Sequence, residues 1–399
     1  MPLKLSKNIQ ALEPSATLAM AAKAKERKAA GKEVFDFSVG EPDFTTPAHI
    51  CEAAVAAMKA GHTHYTVASG IPELKTAICK AYKKVHGLDY APNQVVISNG
   101  AKHSLHNVFA TLCDPGDEVI IPAPYWVSYA ELVKLTGAKP VIVDTRLEDN
   151  FLLTADQLKA AITPRTTMLL LCSPSNPTGT MYSPEQLGTL ADVAVERNLM
   201  VVADEIYEQL IYGEHKFQSF ATLRPGLAER TILVNGVSKT YAMTGWRIGW
   251  TMSPANVAKA MGDLQSQETS NPCSISQYAA IAALDGPQQC VTDMLKEFSK
   301  RRDFVVKRLR EMPGIGFPDP TGAFYVFANI EPHLNKTYGG AKVTNSTDWC
   351  LQLLEQQGVA TVMGSAFGSE GYMRISFATG LETLSAGLDR IDAFLKSAK

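Results

Sequence analysis

The chain has 399 residues, 46% hydrophobic and 20% charged, enough for more than one hydrophobic core and an ordinary globular balance. Its 38 basic and 40 acidic side chains leave a formal net charge of -2, so no basic excess argues for nucleic acid or an anionic membrane surface as a partner.

The first residues, "MPLKLSKNIQALEP", lack an apolar stretch long enough for a secretory signal. No later run reaches the roughly 18 consecutive apolar residues of a membrane span. A helix is expected around 17–30. From there short apolar runs alternate with helical patterns: "QVVIS" (94–98), "EVIIP" (118–122), "KPVIVD" (139–144), "TTMLLLC" (166–172), "LMVVAD" (199–204) and "TILVN" (231–235). Their near-continuous apolar character predicts strands buried on both faces, as in a mainly parallel sheet. Between two of them, Leu187, Leu190, Ala191 and Ala194 repeat at helical spacing behind Ser183-Pro184-Glu185, an N-cap followed by proline at the first helical position. Residues 48–285 therefore read as a large α/β domain. The rest differs. A long amphipathic helix is expected over 289–312, alternating strands at "GAFYVFANI" (322–330) and "YMRISFAT" (372–379), and a closing helix. Residues 286–399, joined by 1–47, read as a smaller α+β domain.

Seven scattered cysteines with no CxxC predict reduced, mostly buried thiols and a cytoplasmic protein. The histidines at 62, 64, 103 and 106 lack partners at ligand spacing in the sequence, and no metal site is expected.

The chemistry is expected where strands end. "QVVIS" runs into Asn99-Gly100-Ala101-Lys102 and a helix, whose start offers free backbone N–H groups to a phosphate. "TTMLLLC" runs into "SPSNPTG", "LMVVA" ends at Asp204, and "TILVN" leads to Ser238-Lys239. Ligands bind beyond the carboxyl ends of strands in open parallel sheets, so Gly100, Asn176, Asp204 and Lys239 are expected in one crevice. Singly, each has a plain structural explanation: a solvated lysine, a turn, a helix cap. Their equivalent topological positions weaken those explanations. An amine able to form a Schiff base, an acid for a ring nitrogen, polar donors for a phenolate oxygen and a phosphate cup suit pyridoxal phosphate. No GxGxxG, Walker A, GxSxG or HExxH pattern competes.

The sequence resembles the fold-type-I, pyridoxal-phosphate-dependent aminotransferases of class I, and within them the bacterial-type aspartate aminotransferases of subgroup Ib. The resemblance runs over almost the whole chain, through "SVGEPDFTTP" (38–47), "HYTVASGIPEL" (64–74), "PYWVSY" (124–129), "SPSNPTG" (173–179), "DEIYE" (204–208), "SKTYAMTGWRIGW" (238–250), "GAFYVF" (322–327) and "MRISFA" (373–378). It implies a seven-stranded, mainly parallel sheet in the large domain, and a homodimer. It further implies Lys239 as the covalent attachment point and proton carrier. Gly100, Ala101, Lys102, Ser238 and Arg247 would bind the cofactor phosphate, with Tyr65 reaching it from the neighbouring subunit. Asp204 would pair with the ring nitrogen, Asn176 and Tyr207 with the ring oxygen, and Trp126 would stack on the ring. Arg374, with Gly40 and Asn176, would hold the substrate α-carboxylate. No arginine corresponds to the one that eukaryotic-type aspartate enzymes use for the distal carboxylate, and Lys102 is expected in that part, beside Trp126. Thr17 matches a residue linked with prephenate amination in some subgroup members, but Glu13 stands where they would carry a basic residue. Another fold-type-I reaction, such as aromatic or alanine transamination, decarboxylation or C–S lysis, stays open. So does a pyridoxal-phosphate-binding regulator.

Overall fold

The computed structural model describes residues 3–399. Seven strands form the central sheet, in the spatial order Val95–Ser98, Gly249–Met252, Thr231–Gly236, Met200–Asp204, Thr166–Cys172, Glu118–Ala123, Lys139–Asp144. Every neighbouring pair is parallel except the two made by Gly249–Met252, which runs against both its partners. Helices cover both faces. One core joins Ile97, Leu169, Leu171, Val201, Ala203 and Leu233 to the helices Pro72–His86, Pro184–Glu196 and Ser274–Asp285. The other joins Val96, Val119, Ile121, Leu170, Val202 and Val234 to helices Ala101–Leu112 and Ala255–Glu268. Alternate residues of one strand thus feed opposite cores, which is why these runs carry no polar face.

One sequence expectation is corrected. The strand Lys139–Asp144 is not buried on both faces: it is the sheet's edge, with Lys139 and Asp144 exposed and Ile142 38% exposed. Pro140, which has no N–H to give a ladder, is tolerated there. The seventh strand that the resemblance implies is Gly249–Met252, which begins inside the motif at 238–250. It has only four residues and starts on glycine, too short for an apolar run to stand out.

A second, three-stranded antiparallel sheet (Val362–Met363, Tyr372–Ser376, Tyr325–Asn329) packs with helices Gln289–Arg310, Ser346–Gln357 and Leu381–Lys396 around Phe298, Tyr325, Trp349 and Phe394. The N-terminal segment joins this core: Phe35–Asp36 pairs in parallel with Val359–Ala360, and Met20 and Ala24 of helix Ala16–Ala29 are buried in it. Local chemistry agrees with the ends of the elements. Ser183 and Gln186 form a reciprocal cap at Pro184–Glu196. Gly358 (φ +69°) ends Ser346–Gln357 in the left-handed conformation that glycine adopts without penalty.

The sheet meets the site most tightly at Gly249. It lies against the start of helix Ala101–Leu112, and a Cβ there would overlap Ala101 N and Gly100 C. Gly245, four residues earlier, has nothing within 4 Å of its Cβ position. Gly249→Ala should therefore cost about 1–3 kcal/mol in urea unfolding, while Gly245→Ala stays within about 0.5 kcal/mol of wild type. Equal costs would mean the helix start shifts freely.

Candidate active site

A cavity of about 380 Å³ opens at the carboxyl ends of the sheet strands. Gly40, Ala101, Lys102, Trp126, Asn176, Asp204, Tyr207, Ser238, Lys239, Arg247 and Arg374 all line it. Two of the residues singled out in the sequence do not. Gly100 caps the helix just behind the wall, at φ +85°, where a Cβ would overlap the Arg247 guanidinium. Tyr65 lies on the surface, 91% exposed.

Lys239 follows the strand Thr231–Gly236 by three residues. Its Nζ donates to Gly40 O at 2.5 Å. Burial pushes its pKa down to about 8; Glu41 and Asp204 pull the other way, while the Arg374 and Arg247 charges add to the depression. Asp204 ends the neighbouring strand and is 4% exposed. Burial raises it to about 6, against hydrogen bonds from Tyr129 Oη to Oδ2 (2.7 Å) and from Ile206 N–H to Oδ1 (3.2 Å), and the Lys239 charge.

The cations outnumber the acid. Arg374, on the strand Tyr372–Ser376, is 2% exposed and donates from Nη1 to Asn176 Oδ1 (3.0 Å) and from Nη2 to Ser38 O (2.6 Å). Its Nε is buried without a partner, and its guanidinium sits 4.6 Å from the centre of the Tyr325 ring. Arg247, in a left-handed conformation (φ +55°), donates only to the carbonyls of Thr244 and Asn99. Lys102 Nζ lies 5.0 Å from the centre of the Trp126 ring, and burial first, then Arg247, lowers its pKa. Among the described residues none of these three cations has a carboxylate salt-bridge partner within 4.0 Å. The desolvated charge of Arg374 is costly without an anion, and Lys102 and Arg247 add exposed positive charge to the same wall, so the cavity suits anionic ligands. The N-terminus of helix Ala101–Leu112, beside Arg247 and Ser238, is suited to a phosphate. The amine and acid beside it suit a Schiff-base-forming pyridine. These donors fit pyridoxal phosphate.

Three contributors escaped the sequence reading. Tyr129 orients Asp204 from helix Ser128–Leu135; its ring meets that of Trp126, in the loop before the helix, edge-on at 5.3 Å. Tyr325 Oη hydrogen-bonds Tyr207 Oη at 2.9 Å, and its only sequence signal is the aromatic run at 324–327. Ser15 enters the cavity wall with Thr17, their hydroxyls 2.9 Å apart. Glu13 is exposed, and its backbone N–H donates to Glu131 Oε2 at 3.0 Å.

Known proteins resemble this chain over nearly its whole length. Residues 32–391 match the family model of class I and II aminotransferases. The chain is 47% identical over 395 residues to an aspartate aminotransferase of Geobacillus stearothermophilus, covering 99% of this chain and 100% of the relative. It is also 47% identical to an aspartate/prephenate aminotransferase of Cereibacter sphaeroides, over 98% of each. Among solved structures, the aspartate aminotransferase of Rhizobium meliloti superposes with a TM-score of 0.96 at 42% identity, over 100% of both chains. The Thermus thermophilus aspartate aminotransferase with maleate gives 0.92 at 39%, over 98% of this chain and 100% of that one.

The raised pKa of Asp204 has a stability consequence. The folded protein holds this proton between about pH 4 and 6 where the unfolded chain releases it, so the group's contribution falls as pH rises through that window and stays unfavourable above it. In the ligand-free protein, Asp204→Asn should be more stable than wild type by about 1–3 kcal/mol at pH 7.5 and converge with it below pH 4, measured by urea unfolding. A gap independent of pH would assign the effect to packing instead.

Proposed function

The chain belongs to the class I and II aminotransferase family, and we propose that within it the protein transfers the α-amino group of L-aspartate to 2-oxoglutarate, giving oxaloacetate and L-glutamate. One observation carries the choice of substrate: the cavity wall carries the buried Arg374 and the exposed Lys102, two cations without carboxylate partners among the described residues, in addition to Arg247 at the phosphate cup. A monocarboxylate amino acid uses only one of them. The relatives named for aspartate support the same reading, as does the neighbour solved with maleate, a dicarboxylate.

Pyridoxal phosphate, when bound, supplies the electron sink for the charge developing at the substrate Cα. Gly100, Ala101, Lys102, Ser238 and Arg247 would hold its phosphate, Asp204 its ring nitrogen, Asn176 and Tyr207 its ring oxygen, Trp126 its ring face and Lys239 its carbonyl carbon. Tyr129 keeps Asp204 aimed and ionised by donating to Oδ2. Arg374 is pre-set by Ser38 O and Asn176 Oδ1 and offers Nε and its remaining N–H groups to the α-carboxylate. That grip fixes the Cα hydrogen relative to Lys239 Nζ, which takes the proton as general base and returns it as general acid. A pKa near 8 lets one amine serve both directions at neutral pH. The two half-reactions use the same groups in turn, giving ping-pong kinetics.

The protein acts as a homodimer in this reading. Tyr65 is exposed and does not line its own cavity, with Val67, Met58 and Val55 also exposed, and would reach the phosphate in the partner's site. We assign it to the cytoplasm from its scattered, unpatterned cysteines; no helix among the described residues is long and apolar enough to cross a membrane. Prephenate is a second substrate favoured by Thr17 on the cavity wall and by the relatives named for both activities. Glu13, a carboxylate two residues before Ser15 of the cavity wall, makes it the secondary one.

The test of substrate choice is kcat/KM for aspartate and for an apolar amino acid in wild type and Lys102→Ala. Aspartate should lose about 1.5–3 kcal/mol of transition-state binding, roughly 10- to 150-fold, and the apolar donor far less. Equal losses would confine Lys102 to the phosphate and leave the aspartate reading without its distal partner.

A further inference from the structure

The strand Val95–Ser98 lies at one margin of the main sheet and runs directly into the phosphate cup at 100–102. Its outer edge is covered. Residues 66–71 lie along it, with Ile97 N–H donating to Ser69 O at 2.9 Å. Gly70 (φ +100°) packs so closely that a Cβ there would overlap the Ile97 side chain. This covering segment follows immediately on Tyr65.

Two buried glutamines, neither of which lines the cavity, hold the arrangement. Gln265, on helix Ala255–Glu268, is 0% exposed. Its Oε1 accepts from Ser98 Oγ (2.9 Å) and from Asn107 Nδ2 (2.8 Å) on the cup helix. Its Nε2 donates to Ile97 O (2.8 Å) and to Ala68 O (2.5 Å). All four hydrogen-bonding positions of the amide are used, two on the cup helix and the strand end that leads to it, one on the strand backbone and one on the Tyr65 segment. Gln277, on helix Ser274–Asp285, is equally buried. Its Oε1 accepts from Ile71 N–H (2.8 Å), and its Nε2 donates to Pro272 O (3.0 Å) and Thr66 Oγ1 (3.3 Å). A buried amide so placed tolerates little displacement of any partner, because a shift leaves a buried donor or acceptor unpaired.

We infer that Gln265 and Gln277 are positioning residues for the Tyr65 segment that each subunit lends to its partner, and that Gln265 also joins this segment to the subunit's own phosphate cup, so that the two sites of the dimer are mechanically linked. The inference rests on the proposed homodimer and its borrowed tyrosine. Neither glutamine touches cofactor or substrate. Gln277 acts only on the segment, whereas Gln265 bridges segment and cup.

Hybrid dimers of the full-length chain, separated by two affinity tags, test it. One subunit carries Lys239→Ala, so it cannot attach the cofactor covalently, together with Gln277→Leu. The other is unaltered, and its site depends on the altered subunit's Tyr65. Pyridoxal phosphate is titrated in, trapped on the unaltered Lys239 with borohydride, and counted by intact mass. The half-saturating concentration should rise about tenfold over the hybrid lacking Gln277→Leu, as it should with Tyr65→Phe in the same place. Combining the two changes should add little, and Gln265→Met should give the same effect in trans. If Tyr65→Phe raises the value and the glutamine variants do not, the linkage is overturned and the borrowed tyrosine stands. If none of the three has an effect, both fall. Losses that add fully to Tyr65→Phe would also overturn the linkage, because they would act independently of that side chain. Should Gln265→Met hybrids fail to assemble, Asn107→Leu in the same subunit, which removes the cup-helix contact of Gln265, takes its place: the linkage predicts a raised half-saturating concentration at the partner's site, and an unchanged value overturns it.

Discussion

Everything around the cavity answers to one electrostatic constraint: four cationic side chains, Lys102, Lys239, Arg247 and Arg374, converge on a space with a single buried carboxylate, Asp204. Gathering so much like charge around one cavity is unfavourable unless anions complete it. The protein holds it without collapse by giving the cations carbonyl partners: Gly40 O for Lys239, Ser38 O for Arg374, Thr244 O and Asn99 O for Arg247. Carbonyl dipoles orient a cation without neutralising it. The charge stays available for a phosphate and for substrate carboxylates, and the functional groups need little rearrangement when those arrive.

The fold supplies that convergence from distant parts of the chain. Parallel strands end on the same side, which brings Asp204 and Lys239 together from adjacent strands and Asn176 from the next loop. Arg374 comes from the smaller sheet and meets Asn176 across the join. Residues 38–47 lie between them. Gly40 O holds Lys239, Glu41 accepts from Thr244 Oγ1 at 2.7 Å, Asp43 pairs with Arg301 at 2.6 Å, and Thr46 Oγ1 donates to Ala242 O at 2.8 Å. This segment ties the lysine loop to helix Gln289–Arg310, so the amine and the carboxylate-binding arginine are referenced to the same short stretch of backbone.

Much of this was legible in the sequence because burial on both sides leaves a plain mark. Six of the seven sheet strands show as apolar runs, and strand-end logic alone places Asn176, Asp204 and Lys239 in one crevice. The resemblance to known aminotransferases adds Arg374, Trp126 and Tyr207, which no periodicity singles out. What escaped was relational. Tyr129 matters through a carboxylate 75 residues away, and Gln265 through backbone carbonyls at 68 and 97, far from it in sequence. The edge position of Lys139–Asp144 depends on which neighbour is missing, and an apolar run does not record that. Tyr65 is the opposite case: the resemblance marks it, while the single chain leaves it in solvent.

The central claim is that the Lys239 amine itself moves the Cα proton. Its most direct measurement is the release of hydrogen isotope from the Cα of labelled aspartate by Lys239→Ala, with and without small primary amines. The account predicts that release falls to background in the variant and returns with added amines, faster as their basicity rises. Release at a rate near wild type without any amine, or a rescue indifferent to basicity, would contradict it.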